Sequence, residues 1–449
     1  MVTTVLATLF VLGIMVFVHE LGHFYVAKKV GIRVLKFSLG FGPKLFGFKK
    51  GDTQYLISAL PLGGYVKLDG EDAFEEGYVP KPGDYMAAPW WGRVLMALAG
   101  PMANLVTAFL IFVMLGLVGF NAPDYSTSVG KVGSGSLAQQ IGVTEGDRVV
   151  SIDGKEVKTW HGLWQELQAE RTADSISLTL DRAGKRIVLN IPSSRRMKFL
   201  ENIEPAVPAQ LGEVYSSLPA YQAGLNAGDI ILSIDDKPVK TWDGMREIIN
   251  QNAGRESRLL VERGSDTLSV RITPVEQDYP GQGPVGVIGV TAPVFGSYKL
   301  RLGLWASVTN ATVSTGGLVA RTYGVLYKIV VKPSSAKQLG GILMIGEMAG
   351  STAKKGFSDL MLLVALLSIS LMVLNLLPLP VLDGGVIFFS LLEGVRKRTL
   401  PVKVQVVIQQ IGIAILIMLM LFTILNDGMK IFSRHSAVKK NSQQIEQAK

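Results

Sequence analysis

The sequence predicts a polytopic α-helical membrane protein: four transmembrane helices, a membrane-associated β-hairpin region, and a duplicated α+β module outside the bilayer. Three observations predict it. Hydrophobic residues make up 48% of the 449 and charged residues only 18%, and the mean hydropathy is +0.33, a composition that points to bilayer segments. Four apolar runs are almost free of charge, each close to the roughly 20 residues a helix needs to cross about 30 Å of hydrocarbon. Between the second and third runs the sequence repeats itself.

The apolar runs fall at residues 2–18 (continuing through His19, Glu20 and His23), 94–120, 360–382 and 404–425. A cleaved signal peptide would carry basic residues before its apolar stretch. Here residues 1–4 have none, and Lys28, Lys29, Arg33, Lys36 and Lys44 all follow the run. By the positive-inside rule that segment faces the cytoplasm, as does the link between runs three and four with Arg396, Lys397, Arg398 and Lys403. The N-terminus, the long middle region and the C-terminus then lie in the periplasm. The net charge of +9 sits in these flanking clusters and forms no single patch, so it indicates a lipid bilayer and not nucleic acid as partner. A fifth stretch, 300–331, is interrupted by Arg301, Asn310, Thr312, Arg321 and Lys328. It reads as an amphipathic helix lying against the membrane or the protein, within a segment 298–358. Residues 1–127 thus hold spans one and two, 359–427 spans three and four, and 428–449 a polar tail. There is no Cys, hence no disulfide framework and no thiolate metal site.

Residues 146–162 and 228–244 are identical at eleven of seventeen positions, the mark of an internal repeat. Each copy reads as a helix, a Gly-Asp turn, a β-branched strand, a tight turn, a second strand and a helix. Gly224-Leu225-Asn226-Ala227-Gly228-Asp229 before a short apolar strand resembles the PDZ domain in its bacterial arrangement, over residues 128–197 and 210–292. Such domains bind extended peptides by adding a strand to a sheet edge, so peptide C-termini or trimmed periplasmic domains are the expected partners. Filling space or guarding an entrance is the plainer role, and fold alone does not choose.

His19-Glu20-Leu21-Gly22-His23 is an HExxH sequence. On a helix, residues four apart share a face, so both imidazoles can reach one ion with Glu20 beside it. The bare pattern is common, but its setting here is not. Imidazole and carboxylate groups deep in a bilayer cost about 3 kcal/mol or more unless they have a partner or a water-filled cavity, and a zinc ion is such a partner. Two of only four His residues have this spacing; His161 and His435 show none. Catalytic zinc takes three protein ligands and keeps one position open, so with no Cys and no third suitable His the remaining ligand is expected to be a carboxylate. Asp383 lies beside Pro378, Pro380, Gly384 and Gly385, a helix-breaking stretch tolerated at membrane depth only where protein or water lines it. Alone, Asp383 reads as a residue ending a helix at the interface. Together with HExxH on another span it becomes the candidate third ligand.

HExxH in the first span, Asn375-Leu376-Leu377-Pro378-Leu379-Pro380-Val381-Leu382-Asp383-Gly384 at the third, and PDZ-like modules between spans two and three resemble the site-2 proteases, in particular their bacterial group with tandem PDZ domains. The resemblance covers nearly the whole chain. It implies an intramembrane zinc metalloendopeptidase of the bacterial inner membrane, its active site toward the cytoplasmic side. It implies Zn2+ on His19, His23 and Asp383, Glu20 as catalytic base and Asn375 as a substrate contact. The implied substrates are single-span membrane proteins, anti-sigma-factor-like proteins or remnant signal peptides, cut in regulated intramembrane proteolysis during a stress response. Gly40-Phe41-Gly42 and residues 61–67 resemble the family's membrane-associated β elements, whose edge, with Gly40, Gly42, Gly63, Gly64 and Tyr65, would pair with substrate. From the residues alone, 53–58 and 65–68 read as short strands. Residues 99–104, ending at Asn104, resemble a second-span motif suited to close helix packing. Residues 339–342 depart from the Ser-Gly-Pro-Ile that many relatives carry. The competing reading, a membrane-anchored PDZ scaffold or receptor, leaves the three polar residues of span one unexplained. A peptidase site in the outer region would need its own motif, and neither repeat contains one.

Overall fold

The computed structural model describes the chain except residues 1, 72–78, 170–172, 216–217, 280–282, 332–340, 399–400, 402–403, 405, 416, 419, 424, 426–427 and 429–449. Residues 339–340 and nearly all of the polar tail therefore lie outside the described residues. In chain order the helices are α1 (Val2–Val30), α2 (Trp90–Val118), α3 (Leu137–Gln140), α4 (Trp160–Gln168), α5 (Pro219–Gln222), α6 (Trp242–Gln251), α7 (Leu304–Val331), α8 (Ile342–Lys355), α9 (Phe357–Asn375) and α10 (Asp383–Arg396). The residues group into two units, Met1–Phe120 with Leu300–Met429, and Asn121–Lys299.

In the first unit, α1, α2, α9 and a final stretch, Val406–Thr423, are long and apolar enough to cross a membrane. Only 22% of the apolar window of α1 is buried by protein, and Val5, Leu6, Phe10 and Phe17 are exposed; lipid has to cover the rest. Where α1, α2, α7 and α9 meet, Val11, Ala108, Ala311, Ala365 and Ile369 form a fully buried core. The helix α7 packs beside α2 through a small-residue contact, a side-chain carbon at Gly116 falling 2.6 Å from Ser307 Oγ.

The third apolar run does not continue as one helix to residue 382. Pro378 and Pro380 lack the amides a helix needs, so α9 stops at Asn375. The chain then makes tight turns, with Leu379 N donating to Leu377 O at 2.7 Å and Leu382 N to Leu379 O at 3.0 Å. Asp383 is the first residue of a new helix, α10, and not the last of the old one. Gly384 and Gly385 allow that reversal: a side-chain carbon at either would strike Leu377 O or Leu379 O at 2.3 and 2.2 Å.

Two long strands, β1 (Val34–Lys50) and β2 (Thr53–Leu68), follow α1. The segments 53–58 and 65–68, expected as separate strands, are arms of the single strand β2. Ser38 pairs with Leu56 on one side and with Tyr65 on the other, while Phe46 pairs with Ile57. The sheet therefore runs 64–68, 34–39, 54–58, 44–50 across, with β1 and β2 each folded back on themselves. Gly40 and Gly42 have φ near +89° and +87°, a left-handed turn that β-branched or bulky residues resist, and they make the fold in β1. Phe41, Leu45, Phe46, Phe48, Ile57 and Leu60 are exposed at the far end of this sheet, an apolar surface suited to lipid.

The second unit contains the repeat as two copies of one antiparallel sheet. The central strand Arg148–Ile152 lies between Lys155–Glu156 and Ser175–Arg182, with Lys185–Pro192 outermost; its counterpart Ile230–Ile234 lies between Lys237–Pro238 and Ser257–Arg263, with Asp266–Ile272 outermost. Thr159 caps α4 by accepting from Gly162 N, and Thr241 caps α6 by accepting from Gly244 N. The shared Gly-Asp pair has a physical basis. Gly146 and Gly228 turn at φ near +91° and +92°, and the next residue, Asp147 or Asp229, is buried. Each carboxylate accepts two guanidinium bonds at 2.7 Å, from Arg182 and Arg263 respectively. It also accepts a backbone amide three residues back, from Thr144 at 2.8 Å or Asn226 at 2.9 Å.

Burial by itself raises the Asp147 pKa, but the Arg182 bonds and the Thr144 amide outweigh it and hold the carboxyl below its ordinary value. A lowered folded-state pKa gives stability that is complete above the unfolded value of about 3.9 and is lost as pH falls through the folded one. Hydrogen exchange of residues 128–197 is therefore expected to stay protected down to about pH 4 and to accelerate below it. Asp229→Ala is expected to destabilise the second copy by about 2 kcal/mol, read as faster exchange confined to residues 210–292.

Candidate metal centre

The imidazoles of His19 and His23 project from one face of α1, as four-residue spacing requires, and both are buried. What makes room for them is α2. Gly100 stands against the two rings, where a side-chain carbon would lie 2.3 Å from His23 Nε2 and 2.8 Å from His19 Cε1. On α1 the intervening Gly22 meets Ala99 O at 2.4 Å by the same measure. Two helices approach this closely only where glycines face them.

Asp383, at the start of α10, completes the cluster. Its Oδ2 is 3.2 Å from His19 Nε2 and its Oδ1 3.3 Å from His23 Nε2, while the two Nε2 atoms are 3.1 Å apart. One ligand atom from each residue lies within 4.8 Å of the others. The donor set fits a zinc ion. Two ring nitrogens facing each other share at most one proton, and the buried Asp383 Oδ2 receives no hydrogen bond despite its short distance to His19. Two His and one carboxylate make a familiar set for catalytic zinc. His23 Nδ1 donates to Met96 O at 2.8 Å, which puts the lone pair of that ring on Nε2.

The helix carrying Asp383 is held to α2 by an ion pair between Arg93 and Glu393, 2.5 Å apart and almost wholly buried. A side-chain carbon at Gly394 would meet the Trp90 ring at 2.6 Å. Neither contact is visible from local sequence, because 300 residues separate Arg93 from Glu393.

A cavity of about 540 Å3 lies over the cluster. Glu20 lines it, as do Gly63, Gly64 and Tyr65 of β2, Asn375 at the end of α9, and Asp383. Gly64 lets β2 come down onto α1, a side-chain carbon there falling 2.8 Å from Val16 Cγ1 and 3.0 Å from Glu20 Cγ. Asn375 places its amide nitrogen 3.4 Å from His19 Nε2. Gly40 and Gly42 do not line the cavity, whereas Phe41 between them does and stacks on Tyr65 at 6.1 Å. The residue that sequence reading passed over is Asn104, wholly buried on α2 with its amide 3.3 Å from His19 Nδ1. Its position one turn after Gly100 on the same helix face was the available signal.

The arrangement matches known proteins over nearly its full length. The profile of peptidase family M50 covers residues 7–419. A candidate zinc metalloprotease of Neisseria meningitidis is 30% identical over 443 residues, 94% of this chain and 98% of the relative. A protein of Vibrio cholerae named in the same terms is 31% identical over 446 residues, 94% and 97%. The regulator of sigma-E protease RseP of Escherichia coli is 30% identical over 441 residues, 93% and 96%. These matches take in both α1 and α10, which carry the His pair and the Asp, so the chain belongs to peptidase family M50 and is an intramembrane zinc metalloprotease.

Proposed function

We propose that the protein cuts transmembrane segments of single-span membrane proteins in regulated intramembrane proteolysis, with His19, His23 and Asp383 holding zinc and Glu20 acting as the base. The observation that carries this reading is the convergence of the three donors in a buried cluster, walled by apolar helices and roofed by a strand edge. When bound there, zinc supplies a Lewis acid that lowers the pKa of a coordinated water to about 7 and polarises a carbonyl. Glu20 takes the proton from the attacking water on a carboxylate oxygen and returns it to the leaving amine nitrogen. The Asn375 side-chain amide, close to His19, is placed to donate to the substrate carbonyl oxygen.

A peptide inside a transmembrane helix has its carbonyls tied in hydrogen bonds to amides four residues on, so cleavage demands local unwinding. Among the described residues no further strand pairs with the 63–66 side of the sheet. That edge suits strand addition by an unwound segment, with Gly63, Gly64 and Tyr65 along it. We place the enzyme in a bacterial inner membrane with the site toward the cytoplasmic side, following the basic residues 28–44 and 396–398. The relatives named for sigma-E regulation favour an anti-sigma-factor-like substrate. The duplicated modules are read as periplasmic PDZ domains, supported by their matching sheets and Gly-Asp turns. Their role is to dock peptide C-termini or to screen out substrates whose outer domain has not been trimmed.

Three outcomes test this. Glu20→Gln should cut a detergent-solubilised single-span substrate about 100-fold to 10,000-fold more slowly while binding zinc as the unmodified protein does; equal cleavage would end the assignment of Glu20. Replacing helix-weak residues near the cut with Leu or Ala should slow cleavage, and unchanged rates would show that unwinding is not limiting. Deleting residues 128–292 should widen the range of substrates cut while sparing cleavage of a minimal one, whose loss would refute the screening role.

A further inference from the structure

We infer that Asn104 is a positioning residue: its side-chain carbonyl accepts the Nδ1 proton of His19 and so keeps the Nε2 lone pair of that ring turned toward the metal position. The inference rests on the reading of His19 as a zinc ligand and adds the group that makes it one.

The two imidazoles are not held alike. His23 donates from Nδ1 to the main-chain carbonyl of Met96 at 2.8 Å. A carbonyl only accepts, so the His23 tautomer is settled by the backbone of α2. His19 has no carbonyl at the equivalent place. The polar group at its Nδ1 is the Asn104 amide, at 3.3 Å. Asn104 is 0% exposed, so solvent does not stand in for it. The amide has two orientations about its last torsion, which exchange oxygen and nitrogen. With nitrogen toward the ring, Asn104 donates, the Nδ1 lone pair is used, and the His19 proton sits on Nε2 among His23 Nε2 and Asp383, where it repels a cation. The amide oxygen has no hydrogen-bond partner in that orientation. With oxygen toward the ring, Nδ1–H is the donor and Nε2 presents its lone pair to the cluster. Only the second orientation makes His19 a ligand, and binding a cation at Nε2 strengthens it by making Nδ1–H a better donor.

The placement on α2 supports a dedicated role. Gly100 clears space for the rings, and Asn104, four residues on, reaches the far nitrogen from the same face. Its neighbours in the helix seam, Ala97 and Ala108, are apolar and buried. A buried amide with one end unsatisfied is a poor packing residue, and a Leu of similar size would fill the seam without that cost.

The test uses the full-length protein in detergent, reading zinc affinity by competition with a chelator and stability by thermal melting of the chelated form. Asn104→Leu and Asn104→Ala should weaken zinc about 10-fold to 100-fold, and the chelated Leu variant should melt no lower than the unmodified protein. Asn104→Asp, which keeps an acceptor facing Nδ1, should bind zinc at least tenfold more tightly than the Leu variant. Unmodified zinc affinity in the Leu variant would overturn the proposal; if that variant does not fold, the Ala variant is read in the same way. His19→Ala and His23→Ala in the same assay separate the two ideas. If they lose zinc while the Asn104 variants keep it, the positioning role fails and the metal site stands. If they keep it, the metal reading itself fails, and the positioning role with it.

Discussion

The rest of the first unit follows from the need to gather two imidazoles and a carboxylate at one point inside an apolar helical bundle. A single polar group there is costly, and several are tolerated only when they satisfy one another or share a cation. That requirement sets how near the helices must come. Gly22 and Gly100 remove the side chains that would keep α1 and α2 apart, and Gly384 and Gly385 do the same where α10 turns back on the residues just before it. It also explains why the third apolar run is broken. A continuous helix would carry residue 383 about 12 Å beyond Asn375, at 1.5 Å per residue. The turns forced by Pro378 and Pro380 bring both Asn375 and Asp383 within about 3.4 Å of His19. The Arg93–Glu393 pair then ties the far end of α10 to α2. A buried pair of this kind adds little net stability but makes any other docking of α10 expensive, since either charge left alone would be unpaired.

The second unit solves a different problem with the same economy of parts. Each copy of the module is small, and its Gly-Asp turn serves as a clamp: the Asp carboxylate gathers a backbone amide from its own turn and both arms of an Arg from the far strand. Because the Asp is buried and fully bonded, it fixes the register between turn and strand in both copies. Conserving that clamp while other surface positions differ is what made the duplication visible over seventeen residues.

The parts legible in the sequence were those with a short period or a local signature. Four spans could be read from apolar length, the His pair from its spacing of four, and the duplicated module from self-similarity. Asp383 was within reach because the absence of Cys and of further suitable His left a carboxylate as the expected third ligand. What stayed hidden depends on contacts between residues far apart. The helix α10 was merged into the third apolar run, since Asp383 through Arg396 is itself largely apolar and the Pro-rich break reads as a kink or an end with equal ease. The two short strands of residues 53–68 turned out to be one, because the folding-back of β1 at Gly40 and Gly42 depends on pairing on both faces of residues 34–39. Asn104 read as a packing residue within a small-residue motif, and its contact with His19 spans 85 residues.

The placement of β2 links the base to the substrate in the proposed mechanism. Gly64 brings the strand against α1 with no side chain between its backbone and Glu20. A larger residue there would lift the edge away from the helix and enlarge the gap that water must be kept out of. A substrate segment added to that edge would lie extended beside Glu20 and His19, its carbonyls released from the helix and free to turn toward the cluster. Strand addition also gives an unwound membrane segment the main-chain partners that hydrocarbon denies it, so the step that exposes the peptide bond is stabilised by the same contact that positions it. On this reading, selectivity for helix-weak segments needs no side-chain pocket: it arises from the competition between hydrogen bonds within the substrate helix and those offered by the edge of β2.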